Sequence, residues 1–400
     1  MSGFLVSRRR DADRRTLRRR GPDLTRTAEV EGYHFHHYLS SVAGEPAPLI
    51  DGDVVCVWDG EVYPAGRSLV GLYRRHGEGF VRHVDGDLAV VLYDFRRRIL
   101  VAATDAFGTK PLFVKGTEAS SCRGALGGGE RLSPNTVAVI DLDGGESRRS
   151  ILAPFDFDRQ HKESYDDWIR AFERAVGKRA SEGCYLPLSA GYDSGAVDCA
   201  LRRLGVAHKA YSIEGRENVE LLRRRGGEVL LMDEATFAER GAFLRAHCEP
   251  ASFRVRIFTG EEEVYEVHED RASRGLALIH SRARAEGRRL FLSGHGVDET
   301  VAACRHWPGA RFPDVLRPWP DFDGNWMAAY LAKEELVAGA CGVEGRYPFL
   351  DREVVQEFLW LAPELKNRRY KAPLHEYMRR HAYPFDENVK TGFNPLPLEP

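Results

Sequence analysis

Two stretches of the sequence place an acidic side chain just beyond a short apolar run and a turn of small residues. The first is SAGYDS at 189–194, and the second is SGHGVDE at 293–299. Small residues leave backbone N–H groups accessible, and a helix that begins directly after such a turn adds its positive N-terminus. Phosphate binds readily to this combination. Both stretches are therefore candidate phosphate-binding turns.

The acid in each turn narrows the chemistry further. A carboxylate beside a phosphate is repelled unless a cation lies between them, and Mg²⁺ is commonly held by one or two carboxylates together with phosphate oxygens. We therefore predict that Asp193 and Asp298 hold Mg²⁺. The alternative is two ordinary strand-to-helix turns in which serine or aspartate is the helix N-cap. The repetition of the pattern on two strands predicted to share one sheet argues against that alternative.

The elements around these turns alternate between strand and helix. Short apolar strands separated by helical patterns are predicted at 184–189, 207–213, 227–232 and 288–293. A helix is also predicted over 163–183, with Ser164 as its N-cap and Gly183 as its end. Such alternation is typical of a parallel sheet with helices on its faces, in which ligands bind at the carboxyl ends of the strands. Both candidate turns lie at such ends.

The first part of the chain has a different pattern, rich in Val, Leu and Tyr. Strand patterns occur at 53–63, 86–105 and 131–153. The second of these predicts a hairpin with its turn at 95–98. Antiparallel hairpins with little helix predict an α+β domain. The sequence thus predicts an α+β domain over 1–155 and an α/β domain with a parallel sheet over 156–400.

The composition excludes several classes of protein. Of 400 residues, 43% are hydrophobic and 30% are charged, and the net charge is −2, which is typical of a soluble globular protein. No membrane span or secretory signal is predicted, so we expect a cytoplasmic protein without a membrane partner. The seven cysteines form no CxxC pair, which argues against a disulfide framework or a zinc site. Eight arginines within 8–20 are interpreted as a solvated face, and no nucleic-acid partner is expected.

Several stretches resemble one known family. SAGYDS resembles the SGGxDS pyrophosphate loop of the PP-loop ATP pyrophosphatases, and SGHGVDE resembles the SGxGxDE segment of asparagine synthetases. Later stretches that resemble the same family are GVEGRYPFLDREVVQEF at 342–358, YKAPLHEYMRR at 370–380 and VKTGFNP at 389–395. Those that resemble its class II glutamine amidotransferase domain are RRGPD at 19–23, WDGEVY at 58–63 and residues 84–114. The resemblance to the asparagine synthetase family covers nearly the whole chain and implies an Ntn-type antiparallel sandwich followed by a PP-loop ATP pyrophosphatase domain.

The resemblance implies ATP and Mg²⁺ as cofactors and a role for each motif residue. Asp193 and Asp298 would hold the metal, as the turns alone predict. Lys390 aligns with the family's catalytic lysine, which neutralises charge on the phosphates and on the tetrahedral intermediate, and Lys371 aligns with a lysine near pyrophosphate. Solvated surface lysines are the alternative for both. The residues implied to line the pyrophosphate and AMP are Ser189, Gly191, Ser194, Ser293 and Gly294.

The first domain departs from the family's glutaminase pattern at three positions. Ser2 stands where the family has its N-terminal cysteine nucleophile. Asp59, before Gly60, stands where an asparagine donates to the oxyanion, and a carboxylate there would repel the developing charge. Tyr38 replaces the arginine that holds the glutamine carboxylate. We therefore expect a domain that has lost glutaminase activity and is retained as a scaffold.

The third residue of SGHGVDE indicates which kind of amine is expected to attack the activated carboxylate. Asparagine synthetases have Glu at this position and the β-lactam and carbapenam synthetases have Tyr, whereas this chain has His295. Histidine can act as a base near neutral pH, and Glu344 occupies the position of the family's partner carboxylate. We therefore predict that His295 and Glu344 form a dyad that deprotonates an attacking amine. The alternative is that His295 only bonds phosphate or fills space.

These features predict an AMP-forming ligase that adenylates a small-molecule or peptide carboxylate and joins it to a substrate amine. The resemblance suggests the manner of the β-lactam and carbapenam synthetases or the lasso-peptide cyclases. An ammonia-dependent asparagine synthetase, an inactive scaffold and a PP-loop RNA-modifying enzyme are the alternatives. The sequence ends ten residues after Lys390, so we expect a substrate site that is open, or closed by a homodimer partner or another subunit.

Overall fold

The computed structural model describes residues 2–40, 45–214, 218–257, 260–302, 311–387, 393 and 395. Its contacts divide the chain into two compact units. Unit 1 comprises Met1–Pro154 and Ala338–Glu344, and unit 2 comprises Phe155–Val337 and Gly345–Pro400. Within the described ranges, no helix combines the length and apolar character needed to cross a bilayer.

Unit 1 is built on two antiparallel sheets. Its strands are β1 (Gly3–Ser7), β2 (Leu24–Val30), β3 (Tyr33–Leu39), β4 (Leu49–Asp51), β5 (Val54–Tyr63), β6 (Asp85–Asp94), β7 (Ile99–Thr104), β8 (Phe113–Lys115), β9 (Glu118–Ser120), β10 (Glu130–Arg131), β11 (Thr136–Asp141) and β12 (Ser147–Ile151). They form two six-stranded sheets, in the orders β10-β8-β9-β1-β3-β2 and β12-β11-β7-β6-β5-β4. The antiparallel pairing of Asp94 with Ile99 confirms the predicted hairpin at 95–98.

One apolar core lies between these two sheets. Along β3, Tyr33 and Phe35 are buried while His34 and His36 are only half-buried, as expected of a strand with one face on a core. The ring of Phe35 meets that of Tyr93 from the other sheet edge-on, with centroids 5.2 Å apart. The short helices α1 (Arg15–Arg20) and α2 (Leu69–His76) complete the unit. The predicted antiparallel α+β sandwich is confirmed.

Unit 2 contains the predicted parallel sheet. The later strands of the chain are β13 (Cys184–Pro187), β14 (His208–Glu214), β15 (Glu228–Leu231), β16 (Ser252–Arg256), β17 (Glu262–Glu266), β18 (Leu290–Leu292) and β19 (Glu344–Arg346). The sheet has the order β15-β14-β13-β18-β19, and β13 pairs in parallel with both β14 and β18. The four strands predicted from the apolar runs correspond to β13, β14, β15 and β18.

Ten helices follow within the described residues. They are α3 (Asp166–Arg179), α4 (Tyr192–Arg203), α5 (Val219–Arg225), α6 (Glu234–His247), α7 (Arg271–Ala285), α8 (Val297–Thr300), α9 (Asn325–Cys341), α10 (Arg352–Trp360), α11 (Pro363–Lys366) and α12 (Ala372–Arg380). The predicted limits of α3 are wrong at both ends. Ser164 accepts the N–H of Asp166 two residues on, which forms a turn before the helix. At the other end, Ala180 is already extended.

The hairpin β16–β17 is not predicted by the pattern analysis. Its two strands pair antiparallel and lie outside the parallel sheet. Apart from the buried Val255, its side chains are exposed or half-buried. A hairpin without a buried face lacks the alternation from which strands are predicted.

The order of the strands places both candidate turns together. The chain runs from β13 outward to β14 and β15, and then returns to β18 on the other side of β13. The direction of winding therefore reverses at β13, and a crevice forms at the carboxyl ends of the strands at such a reversal. The turns after β13 and β18 are the two that border this crevice, because these two strands are neighbours in the sheet.

Candidate active site

The turn after β13 is organised by its two serines. The hydroxyl of Ser194 accepts the backbone N–H of Ser189 and contacts the Ser189 hydroxyl, both at 3.0 Å. The Ser189 hydroxyl in turn accepts the N–H of Gly191 at 3.1 Å. Helix α4 begins directly afterwards, with Gly191 as its N-cap. The predicted phosphate turn is therefore a closed loop at the N-terminus of a 12-residue helix.

The turn after β18 packs directly on this loop. A Cβ atom at Gly294 would lie 2.9 Å from the backbone nitrogen of Ser194 and 3.1 Å from the carbonyl carbon of Asp193. Only glycine allows so close an approach of two backbones. The Ser293 hydroxyl accepts the backbone N–H of His295 at 3.0 Å. The two stretches singled out in the sequence therefore form one continuous surface.

Lys371 joins the two predicted metal ligands. Its ammonium nitrogen lies 2.7 Å from both carboxylate oxygens of Asp193 and 2.8 Å from a carboxylate oxygen of Asp298. Burial by itself would lower the pKa of Lys371, but the charges of Asp193 and Asp298 outweigh it and hold that pKa well above its ordinary value. The lysine is therefore a permanent cation between two carboxylates from neighbouring loops.

The backbone of Lys371 is held in an unusual conformation. Its φ of 47° lies in the left-handed region, which costs a residue with a side chain about 1–2 kcal/mol. The side chain is only 4% exposed. Tyr370 beside it donates a hydrogen bond to Asp298 at 3.3 Å. From this conformation the ammonium group of Lys371 reaches both Asp193 and Asp298.

The residues present fit a magnesium ion. Asp193 and Asp298 converge on one cationic centre and remain about a third exposed, at 27% and 32%. The described residues contain no cluster of three or more His, Cys, Asp or Glu side chains suited to a metal. Two carboxylates, with phosphate oxygens completing the shell, are the donor set that Mg²⁺ takes beside nucleotides. Asp193 and Asp298 would therefore hold the ion together with a bound triphosphate.

A third carboxyl group near this pair has a strongly raised pKa, which favours its neutral form. Glu299 is buried, and its Oε2 atom has no hydrogen-bond partner among the described residues. Burial and, next, the charge of Asp298 raise the pKa of Glu299 to about 8. The negative charge at the crevice therefore comes from Asp193 and Asp298.

His295 lies in a partly buried setting with one free ring nitrogen. Its Nε2 atom is buried without a hydrogen-bond partner among the described residues, and its ring bonds to the backbone of Met327. The rings of Tyr330 and Tyr347 meet it nearly perpendicularly, with centroids 6.3 and 6.4 Å away. Burial lowers the pKa of His295, and the charge of Glu334 opposes this. The imidazole is therefore neutral at pH 7 and able to accept a proton.

The carboxylate that acts on His295 belongs to helix α9. Glu334 accepts a hydrogen bond from the Ser293 hydroxyl at 2.7 Å, and burial raises the pKa of Glu334. Glu344, the partner implied by the resemblance, is fully buried at the start of β19. Its pairing with His295 stays a prediction. Lys390 lies outside the described residues, so its predicted role also stays a prediction.

Unit 1 contains the three residues that depart from the family's glutaminase pattern, namely Ser2, Tyr38 and Asp59, and their surroundings differ. The Ser2 hydroxyl donates to Asp59 at 2.7 Å and accepts the N–H of Gly60 at 3.2 Å. Arg20 donates to the other carboxylate oxygen of Asp59 at 2.9 Å and to the Ser2 carbonyl at 3.2 Å. Tyr38 is buried in a small apolar cluster with Leu5, Leu17 and Cys122. Ser2 and Asp59 thus form a buried network with an arginine.

Arg20 corrects one interpretation drawn from the sequence. Most arginines within 8–20 are exposed, as predicted for a solvated face, but Arg20 is only 3% exposed. It is the last residue of α1, and the buried charge of Asp59 draws its side chain inward. A buried cation of this kind is costly unless it is paired, and here the Asp59 carboxylate and the Ser2 carbonyl pair with it.

Replacing Asp59 with alanine is expected to lower the free energy of unfolding by about 3–5 kcal/mol, because the buried guanidinium of Arg20 would lose its counter-charge. Urea denaturation measures this loss. Glu29→Ala, which removes the exposed Arg10–Glu29 pair, is the control and should change stability by less than about 0.5 kcal/mol. Equal stability of the two variants would contradict the buried pair.

The sequence did not point to three residues that contribute to the site, namely Arg225, Glu334 and Tyr370. Arg225 lies at the end of RRR in α5, which resembles a solvated face, yet it is fully buried against the turn after β13. Glu334 carried a usable signal, because it belongs to the charged triplet KEE inside an otherwise apolar helix. Tyr370, next to Lys371, carried no signal of its own.

The fold and the site together define a class: an antiparallel amidotransferase-like unit combined with a parallel-sheet unit bearing a phosphate turn and paired carboxylates. A family model described as a glutamine amidotransferase domain matches residues 66–124, and one described as asparagine synthase matches residues 322–394. These two matches, together with the relatives described next, support the asparagine synthetase family for this chain.

Curated relatives agree with this assignment. Asparagine synthetase (glutamine-hydrolyzing) 2 from Arabidopsis thaliana is 27% identical over 88% of this chain and 68% of that protein. The corresponding protein from Sandersonia aurantiaca is 25% identical over 94% of this chain and 79% of that protein. A solved amidotransferase from B. subtilis shares 11% identity at a TM-score of 0.30 over 60% of this chain and 77% of that chain, a weak similarity. The matches indicate an ATP-dependent carbon–nitrogen ligase.

Proposed function

We propose that this protein adenylates a substrate carboxylate with ATP, releases pyrophosphate, and then joins the acyl group to a substrate amine with release of AMP. One observation carries the proposal. Asp193 and Asp298, from turns that follow neighbouring strands, converge on the single ammonium group of Lys371. A site that brings two carboxylates and a permanent cation to a helix N-terminus suits a metal-bound triphosphate.

The chain's own residues have separate parts in the first half-reaction. The closed loop of Ser189, Gly191 and Ser194 would present its backbone to the β- and γ-phosphates. Ser293 and Gly294, on the turn that packs against it, would lie along the AMP portion, as the resemblance implies. Asp193 and Asp298 would hold Mg²⁺, which supplies charge neutralisation for the leaving pyrophosphate. Lys371 adds positive charge near the phosphates, where negative charge builds up as pyrophosphate leaves. The resemblance predicts the same role for Lys390. The carboxylate oxygen attacks the α-phosphorus, and the bond to pyrophosphate breaks.

The second half-reaction needs a base, because an ammonium group cannot attack. His295 is neutral at pH 7, and its Nε2 atom has no partner among the described residues. It takes a proton from the amine as the C–N bond forms and AMP departs. The charge of Glu334 raises the pKa of His295 and so strengthens this base, and Glu344 remains the partner that the resemblance suggests.

The amine in this proposal does not come from glutamine. Ser2 and Asp59 bond to each other, and Asp59 is held by Arg20, so the position of an oxyanion donor carries a fixed negative charge. A substrate amine, within one molecule or from a second one, then takes the place of released ammonia. Such a reaction belongs to natural-product biosynthesis of the β-lactam synthetase or peptide-cyclase kind.

Asparagine synthesis from aspartate and ammonia is a second candidate. The relatives reported above are named asparagine synthetases, which favours it. The same adenylation site would serve both reactions. The two candidate reactions differ in which carboxylate is adenylated and in which amine attacks the adenylate.

The proposal is tested by ATP–pyrophosphate exchange across a panel of amino-acid and peptide carboxylates, with mass spectrometry of the products. We expect exchange with a specific carboxylate, an amide product with a supplied or internal amine, and no glutamate from glutamine. Asparagine formed from aspartate and ammonia would establish the second candidate instead. Absence of exchange with every carboxylate would contradict both.

A further inference from the structure

We infer that Arg225 is a positioning residue that fixes the backbone of the phosphate turn; this inference rests on the proposed function. Arg225 is the last residue of α5, and its side chain is fully buried. Its Nη1 donates to the carbonyls of Ser189 and Gly191, the latter at 3.0 Å. A buried guanidinium is costly unless its donors are used, and here Nη1 is used on the turn itself.

The two carbonyl contacts determine where the turn's N–H groups point. In a trans peptide the C=O of one residue and the N–H of the next point in opposite directions. With the Ser189 and Gly191 carbonyls directed at Arg225, the N–H groups of Ala190 and Tyr192 point to the opposite side of the loop. The orientation of these two peptide groups is thereby fixed, and Arg225 acts through the turn without touching the phosphate.

The same guanidinium also anchors the segment that follows α12. Its Nε donates to the carbonyl of Pro384 at 3.1 Å, and its central guanidinium carbon lies 5.2 Å from the ring centre of Tyr383. The Tyr383 hydroxyl donates to Asp198 on α4 at 2.5 Å. Arg225 therefore holds residues 383 and 384 and the phosphate turn in one arrangement.

Gly195 supplies independent support. A Cβ atom at Gly195 would lie 2.8 Å from Nη2 of Arg225 and 3.0 Å from the central guanidinium carbon. This position is inside α4, where alanine is normally preferred to glycine. A glycine here makes room for the guanidinium, so Gly195→Ala displaces Arg225 without removing it.

The test compares Arg225→Met with Arg179→Met. Arg179 is an equally buried arginine of the same unit that donates to Asp351 and to the Ala175 carbonyl. We expect Arg225→Met to weaken binding of magnesium pyrophosphate at least tenfold by isothermal titration calorimetry and to speed hydrogen exchange of the amides at 190–194 at least tenfold. Arg179→Met should lower the melting temperature yet change both quantities less than twofold.

A double-mutant cycle keeps the inference testable if Arg225→Met folds poorly. Gly195→Ala alone should weaken pyrophosphate binding by a similar factor, whereas adding it to Arg225→Ala should cause no further loss. Unchanged exchange at 190–194 in Arg225→Met, equal effects in Arg179→Met, or additive effects in the cycle would each overturn the inference. Hydrogen exchange needs no ligand, and pyrophosphate binding needs neither a carboxylate nor an amine, so these results are distinct from a failure of the proposed ligase reaction.

Discussion

Replacing Lys371 with methionine is expected to lower ATP–pyrophosphate exchange by a factor of about 10²–10³, the usual effect of removing one group that stabilises developing charge. The ammonium group is the contact shared by Asp193 and Asp298, and its raised pKa keeps it charged at neutral pH. Methionine has a similar length but supplies no charge, so the loss measures the electrostatic contribution. Exchange assayed at saturating ATP separates this loss from weaker nucleotide binding.

The same substitution should lower the free energy of unfolding by about 2–3 kcal/mol. This is less than the usual cost of breaking a fully buried pair, because both carboxylates reach solvent. Lys162→Met is the matched control, since Lys162 also bridges two carboxylates of unit 2, those of Asp167 and Glu357. That control should lose some stability and keep full exchange. Equal loss of exchange in both variants would show that Lys371 acts only through stability.

The parts of unit 2 that the sequence predicts are those determined by neighbours along the chain. The apolar runs and the small-residue turns after β13 and β18 depend on local composition, and both were found where predicted. The contact of Lys371 with Asp193 joins residues 178 positions apart in the chain. Spacing alone does not reveal such a contact, and only the family resemblance placed Lys371 near the phosphates.

Buried charges were the least predictable feature. Arg20 and Arg225 each lie in a run of arginines, and such a run most often covers a solvated surface. Their burial depends on partners distant in the chain, namely Asp59 for one and the carbonyls of Ser189 and Gly191 for the other. Composition describes the run as a whole, whereas tertiary structure selects the one member that turns inward.

Replacing His295 with alanine is expected to leave pyrophosphate exchange within about threefold of wild type and to lower amide formation by about 10²–10⁴, the usual contribution of general base catalysis. Exchange reports only the adenylation step, and hydroxylamine traps the acyl-adenylate without help from a base. The variant should therefore yield hydroxamate at the wild-type rate. If the variant lost pyrophosphate exchange as strongly as amide formation, the assignment of His295 to the second half-reaction would be contradicted.

The pH dependence of the amide-forming step distinguishes the two candidate carboxylates. Burial lowers the pKa of His295 from its ordinary 6.5, so the neutral base should persist, and the rate stay on its plateau, to a pH below 6.5. Removing the charge of Glu334 by Glu334→Gln should lower that pKa further, since this charge raises it, and should shift the acid limb to lower pH. Glu344→Gln is the comparison. A shift in that variant and none in Glu334→Gln would return the partner role to Glu344, whereas a shift in Glu334→Gln alone would place the base and its carboxylate on the second turn and α9.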